Sequence, residues 1–293
     1  MTLESHLPEF LKDARIDKLS GGLSGAGVYL VEKDGTKYVL KFSDTAALMR
    51  EVGDAGVAPR VIHSDAETVL CEFVENKMFF GLLMADPKRA IDALGSMLGK
   101  VHALPIPRQL QGRNKRWFLE SLTTQHGDWP RPAWFREGVA EVLAMPEPDP
   151  GPDVLSHNDV NPTNLVWDGA RLLLLDWDVA SAGSRYYDLA AVALFFRFDT
   201  AMCLRLISAH DGVEVSELPA RFIYDRRLVG AMIGTIFLKL AREGGHSGDA
   251  DAQAIPLGDA FMRMREGKLD PGTPDGQFVL GLALIAHSRL PLG

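Results

Sequence analysis

Residues 155–178 read "LSHNDVNPTNLVWDGARLLLLDWD" and crowd a histidine, asparagines and aspartates around a short apolar run. His157, Asp159 and Asn164 fit the spacing H-x-D-x-x-x-x-N. Pro162 stands inside it, so the segment reads as a loop and not a helix. Residues 165–167, the turn Asp168-Gly169 and residues 171–175 then read as a hairpin with a two-residue turn. A hairpin returns the chain to its start, so Asn164 before one arm and Asp176 after the other should lie side by side. Such a pair offers only oxygen ligands, the kind Mg²⁺ takes together with phosphate oxygens. Asp159, one loop away, can accept the proton of an attacking hydroxyl. Phosphoryl transfer needs both parts, with the Asp, an Asn five residues on and a later metal-binding Asp in this order. Read alone, each element is an ordinary turn; the hairpin and Asp176 tip the reading toward a site. His157 is read as support for the loop, Asp168 as a turn residue, and Asp178 as either a neighbour of the metal or a plain solvated or capping acid.

A phosphoryl donor needs a cradle, and the preceding chain offers one. Ile16 opens a short strand-like run, "SGGLSGAG" follows at residues 20–27, and "VYLVEK" at residues 28–33 alternates at period two. Asp34-Gly35 is a tight-turn signal, and "TKYVLKF" at residues 36–42 is a further strand. Strand, glycine loop, strand, turn, strand is an antiparallel meander. Ser24, Gly25 and Gly27 let backbone N–H groups approach phosphates, and Lys41 sits where a phosphate-pairing lysine belongs. The loop leads into a strand, so it is not the dinucleotide fingerprint, and it lacks the G-K-[ST] ending of a P-loop.

The remaining elements divide in two. Residues 1–15 suggest a short amphipathic helix, residues 46–55 a second one, and "RVIHSD" and "TVLCEFVE" two more strands. Beyond them the pattern turns helical: residues 87–104 with Asp86 as N-cap, then about 188–209, 219–243 and 275–289. Residues 145–152, "MPEPDPGP", are a linker. The expected fold is α+β, with a small antiparallel β-rich N-terminal lobe at residues 1–75 and a larger, mainly helical lobe at residues 76–293.

Bulk properties narrow the partners. The chain has 293 residues, 46% hydrophobic and 24% charged, with net charge −8, which disfavours a nucleic-acid partner. No apolar stretch reaches the roughly 20 residues needed to span a bilayer. Cys71 and Cys203 stand alone among apolar neighbours and fit free thiols in a reducing cytoplasm.

Taken together, "HNDVNPTNLVWD", "LLLLDWDVA" and "YYDLA" resemble the aminoglycoside phosphotransferase and choline kinase superfamily over residues 16–196. That resemblance implies a protein-kinase-like two-lobe fold. It implies Asp159 as the catalytic aspartate, Asn164 and Asp176 as Mg²⁺ ligands, and Lys41 as the partner of ATP or GTP phosphates. "CEFVE" would be the interlobe connector, with backbone groups from Glu72 to Val74 meeting the adenine, and Asp188 a buried structural acid. Such kinases pair the strand lysine with a helix glutamate, for which Glu51 is the candidate. The acceptor would be a small hydroxyl metabolite such as an amino alcohol, a sugar or an aminoglycoside-like compound. Trp129, Trp134, Trp177, Tyr186 and Tyr187 offer aromatic faces to a cationic headgroup, although ordinary packing is the commoner use. Asp178, Asp199, Glu243 and Asp249 offer it charge. A nucleotide-binding pseudokinase scaffold and a binding protein without nucleotide are the competing functions.

Overall fold

The computed structural model describes residues 3–19 and 27–291. Two short 3-10 turns, Leu3–His6 and Glu9–Leu11, replace the helix expected over residues 1–15. Pro8, held at φ −65° and ψ 154°, interrupts any continuous helix there. Five strands follow as an antiparallel sheet: β1 (Arg15–Lys18), β2 (Val28–Lys33), β3 (Thr36–Phe42), β4 (Val61–Ser64) and β5 (Thr68–Glu72), in the order β1-β2-β3-β5-β4. Lys33 opposes Thr36, so Asp34-Gly35 is a two-residue turn; both residues take positive φ, 51° and 77°. That hand of turn matches the twist of paired strands. The register sets Val28 opposite Lys41. One face of the sheet buries Val31, Leu40 and Leu70 with Leu11. Through Val69 and Cys71 the other face joins the main core, together with Leu48, Met49 and Val52 of helix α1 (Ala46–Asp54).

Asp65 shapes the β4–β5 turn by accepting from the Glu67 and Thr68 amides at 2.8 and 2.7 Å. His6 Nδ1 lies 2.7 Å from its other oxygen, which fastens the N-terminal turn to the sheet.

After the sheet, helices dominate. A short helix, α2 (Phe79–Ala85), precedes α3 (Pro87–His102), whose N-cap Asp86 accepts from the Arg89 amide at 3.1 Å. Then come α4 (Lys115–Gln125) and α5 (Ala133–Ala144). The polar centre is built on two small hairpin-like pairs. β6 (Val154–Ser156) pairs with β9 (Ser181–Gly183), and between them β7 (Leu165–Trp167) pairs with β8 (Leu172–Leu174). The helices α6 (Arg185–Phe196), α7 (Thr200–Asp211), α8 (Ala220–Glu243), α9 (Leu257–Arg265) and α10 (Pro274–Arg289) complete the chain. The single helix expected over about 188–209 is therefore two. Arg197 turns left-handed at φ 56°, and Asp199 starts a new helix by accepting from the Met202 amide at 2.8 Å. The fold is α+β: an antiparallel sheet first, then a mostly helical part.

Glycines let the last long helices close on one another. A Cβ on Gly230 would lie 2.2 Å from Ser288 Cβ, and one on Gly281 2.2 Å from Leu238 Cδ1. The α8–α10 contact is thus built for bare backbone, and its apolar faces seal the base of the helical part.

Candidate active site

The loop between β6 and β7 carries Asp159, and a buried acid holds that loop from beneath. Asp188, fully buried on the first turn of α6, accepts from the His157 and Asn158 amides, both at 2.8 Å. His102 Nε2, at the end of α3, lies 3.0 Å from the same carboxylate. Burial alone would raise the Asp188 pKa; these bonds outweigh it and hold it below the ordinary carboxylate range. Asn158 takes φ 66°, a left-handed conformation that sharpens the turn, and its side-chain amide donates to Ser181 Oγ and Val179 O, each at 2.9 Å. The loop is thereby tied to α3, α6 and β9 at once.

His157 is fully buried, and burial pushes its pKa down, so the ring is neutral. Its Nε2–H donates to the Leu175 carbonyl at 2.9 Å, and its Nδ1 accepts from the Asp159 amide at 3.3 Å. Those two partners assign the tautomer, since a carbonyl only accepts and an amide only donates. The histidine supports the loop and is not a base. The edge of the Trp177 ring system packs against it, with centroids 4.7 Å apart.

Asp159 is held by two side-chain amides. Asn161 Nδ2 donates to one carboxylate oxygen at 2.9 Å, and Asn164 Nδ2 to the other at 2.8 Å. Burial raises its pKa above the ordinary carboxylate value, with the bonds from the two asparagines and the nearby His157 acting against that rise. The amide of Asn164 is turned to Asp159, which leaves its Oδ1 without a donor among the described residues. Leu175 N–H donates to Asn164 O at 2.8 Å, so the chain end that carries Asp176 lies against Asn164. Trp167 opposes Leu172, so the connection spans four residues rather than the expected two. Asp168 shapes it by accepting from the Ala170 and Arg171 amides at 2.8 and 2.6 Å.

The sheet delivers a cation to the same place. Lys41 Nζ, on β3, bonds Asp176 Oδ1 at 2.7 Å and Asp178 Oδ2 at 2.8 Å. Burial alone would lower the Lys41 pKa, but these two carboxylates hold it above its ordinary value. Asp176 adopts φ 63°, a left-handed conformation rare outside glycine and asparagine. Asp178 also accepts from Ser43 Oγ at 3.2 Å, so it is neither a cap nor a plain solvated acid. Glu51 corrects the sequence expectation: it is exposed on α1 and makes no ion pair among the described residues. Residue 51 lies off the buried stripe of Leu48, Met49 and Val52, and Lys41 finds its acids in Asp176 and Asp178 instead.

The glycine loop is only partly visible. Ser24 and Gly25 lie outside the described residues. Gly27 accepts from the Phe42 amide at 3.3 Å, and a Cβ there would come 2.9 Å from the Tyr29 ring and 3.3 Å from that of Phe42. Glu72 ends β5 and accepts from the Arg60 amide at 3.1 Å, while Phe73 N–H donates to Lys37 O at 3.3 Å. Val74 follows with its backbone N–H and C=O unpaired among the described residues. The connector is pinned to the β7–β8 hairpin, because Lys77 N–H donates to Trp167 O at 2.7 Å and Asn76 Oδ1 accepts from Trp167 N–H at 3.3 Å.

The features expected to greet a cationic headgroup are already in use. Trp129 and Trp134 donate their indole N–H to His246 O and Ala252 O at 3.0 and 3.1 Å, and Trp177 is buried. Arg185 lies over Tyr186 at 4.8 Å and Lys115 over Tyr187 at 4.4 Å. Among the acids, Asp178 holds Lys41, Asp199 caps α7, Glu243 pairs with Lys239 at 2.7 Å, and Asp249 accepts from the Asp251 amide at 2.8 Å. Sequence reasoning missed Asn161, whose place in an Asn-Pro turn reads as turn chemistry, and it missed His102, which only the folded packing brings to Asp188.

Comparison with known proteins places this geometry. A family described as phosphotransferase enzymes matches residues 15–221. None of the curated proteins compared matches the chain. Among solved structures, the choline kinase LicA from Streptococcus pneumoniae aligns with TM-score 0.65 at 16% identity, covering 94% of this chain and 95% of that one. A choline/ethanolamine kinase family protein from Mesorhizobium loti aligns with TM-score 0.61 at 16% identity, covering 94% and 91%. A spectinomycin phosphotransferase in complex with ADP and spectinomycin aligns with TM-score 0.60 at 14% identity, covering 93% and 96%. At these identities the likeness is one of fold.

Proposed function

The chain belongs to the phosphotransferase enzyme family, and from that premise we propose that it moves the terminal phosphoryl group of ATP or GTP to a hydroxyl of a small metabolite. The observation that carries this reading is the convergence of Asp159, Asn164, Asp176 and Lys41, drawn from three separate parts of the chain. Asp159 stands as the base. Its two asparagine contacts fix its direction, and burial, by raising its pKa, makes it a stronger base than an ordinary carboxylate. As the acceptor oxygen bonds to the γ-phosphorus, its proton passes to Asp159 and the bond to the β-phosphate oxygen breaks. Lys41 pairs with the nucleotide phosphates, and the unpaired backbone of Val74, with that of Glu72 beside it, meets the base. Ser24, Gly25 and Gly27 would close over the phosphates. A matched fold that holds ADP with spectinomycin supports a nucleotide donor and a small hydroxyl acceptor.

The donor set fits Mg²⁺. Asn164 Oδ1 and the second oxygen of Asp176 are hard ligands without protein donors among the described residues, and Asp176 and Asp178 together face one ammonium. Among the described residues no cluster of three or more His, Cys, Asp or Glu side chains is arranged as a complete metal cage. That suits an ion that takes one or two protein ligands and completes its shell with phosphate oxygens and water. Bound there, Mg²⁺ would neutralise charge on the transferring phosphoryl group.

We assign residues 1–75 to the nucleotide lobe and residues 76–293 to the catalytic and acceptor lobe. The described residues contain no helix long and apolar enough to cross a membrane. Free, buried Cys71 and Cys203 support a reducing cytoplasm as the setting. The test is turnover of ATP and GTP with Mg²⁺ across a panel of hydroxyl compounds, wild type against Asp159→Ala. Equal turnover in the two proteins refutes the assignment. Nucleotide binding without turnover on any acceptor would instead mark a pseudokinase scaffold.

A further inference from the structure

Lys115, the first residue of α4, carries an ammonium that the protein leaves unclaimed. It forms no hydrogen bond and no ion pair among the described residues, although an ammonium has three donors to place. Its tip lies over the Tyr187 ring, 4.4 Å from the centroid, and 3.0 Å from where a Cβ on Gly183 would stand. Gly183 ends β9, the strand paired with β6, and β6 runs directly into the loop that carries Asp159. A side chain at residue 183 would displace the ammonium, so the bare glycine makes room for it.

Burial holds the Lys115 pKa below its ordinary value, and the two acids whose fields act against that, Asp188 and Asp225, are committed elsewhere. Asp188 is saturated by His102 and the two loop amides. Asp225 takes Arg221 Nε at 3.0 Å and Ser184 Oγ at 2.9 Å. Tyr187 is in a similar position. The residue is 5% exposed, and its hydroxyl has no hydrogen-bond partner among the described residues. Lys115 is half-buried, and neither polar tip is among the sealed, partnerless side-chain atoms of the interior. Burial comes first, then the fields of Asp188, Asp225 and Asp159, in holding the phenol proton in place; the hydroxyl is therefore a donor standing within the field of the proposed base. The Lys115 ammonium and the Tyr187 hydroxyl thus stand without a hydrogen-bond partner among the described residues, the hydroxyl within the field of Asp159. Of the aromatic faces and acids suited to a cationic headgroup, Tyr187, Tyr186, Asp178 and Glu243 already face Lys115, Arg185, Lys41 and Lys239.

We propose that Lys115, with the Tyr187 hydroxyl beside it, recognises an anionic oxygen group on the acceptor, so that the phosphorylated compound is an anionic alcohol and not a cationic amino alcohol. This rests on the phosphotransferase reading above. A carboxylate and a phosphate share the required chemistry, two or three acceptor oxygens that take charge-assisted bonds from an ammonium.

Steady-state turnover of the full chain with ATP and Mg²⁺ tests this on four acceptor sets: short hydroxy acids, sugar phosphates, uncharged polyols and amino alcohols. The expected result is a preference for the hydroxy acids or the sugar phosphates, and the preferred set identifies the anion. In Lys115→Met the KM for that acceptor should rise about 10- to 100-fold, the loss typical of one charge-assisted bond. The kcat, the KM for ATP and acceptor-independent ATP hydrolysis should stay within about twofold, a range well below one such bond. Lys115→Arg should recover most of the loss, and Tyr187→Phe should raise the same KM less. Removing an unpaired, half-buried charge relieves a burial cost, so Lys115→Met should fold, with melting and ATP binding as controls. Preference for an amino alcohol or a polyol, or an unchanged KM in Lys115→Met, overturns the inference while leaving the kinase reading intact. No turnover on any set by a protein that binds ATP overturns both.

Discussion

Replacing Asp188 should loosen the catalytic loop without touching a reacting atom. The carboxylate takes three bonds, at 2.8, 2.8 and 3.0 Å, in a fully buried setting. Hydrogen bonds to a charged group are worth about 1.5–3 kcal/mol each. In Asp188→Ala the His157 and Asn158 amides and the His102 ring lose their partner together. Part of that loss is offset by no longer burying a charge, so the expected destabilisation is about 3–5 kcal/mol. Asp188→Asn keeps the shape but must turn an NH₂ toward one of the donors, and about 2 kcal/mol is expected. With a urea m-value of about 2–3 kcal/mol/M, the Ala variant should unfold about 1–2.5 M earlier. The pH dependence has a definite sign. The folded pKa lies below the ordinary value, so the stabilisation is complete above the unfolded pKa near ~3.9 and is lost as pH falls through the folded pKa. The gap between wild type and Asp188→Asn should therefore be full at pH 7 and should narrow only in acid. Turnover should fall roughly 100-fold as Asp159 drifts by about an ångström, with little change in nucleotide affinity. Equal urea midpoints at pH 7, or a full stability loss with unchanged turnover, would refute the account of the loop.

Three further outcomes follow from the site. Asp159→Asn should lower kcat by about 100- to 10,000-fold; because burial raises the Asp159 pKa, wild-type activity should fall as pH drops through that raised value, as a pH–rate profile would show. Lys41→Met should raise the KM for nucleotide about tenfold or more through the lost phosphate contact, yet shift stability by under about 1 kcal/mol, since its partner acids are roughly a third exposed, which chemical denaturation would check. Glu51→Gln should leave kcat and the nucleotide KM within about twofold of wild type, a difference of under about 0.5 kcal/mol, because Glu51 is exposed and Lys41 has its partners elsewhere.

Local chemistry made much of the molecule legible in the sequence. The Asp34-Gly35 turn, the alternation of residues 28–33 and 36–42, and the Asp86 cap each depend on neighbours within a few residues, and each reads correctly. The spacing of His157, Asp159 and Asn164, with a hairpin between Asn164 and Asp176, also acts over short range, so their convergence could be anticipated. Short-range rules failed where a breaker or a cap competed with apolar periodicity, as at Pro8 and at Arg197 to Asp199. The tertiary structure alone decided which charge meets which. Lys41 reaches across more than a hundred residues to Asp176 and Asp178, passing over Glu51. His102 meets Asp188, and Lys115 comes to rest on Tyr187 without a counter-ion. A buried or half-buried charge must find partners in three dimensions, and their identity depends on which helices close against which strands, for which sequence distance is no guide.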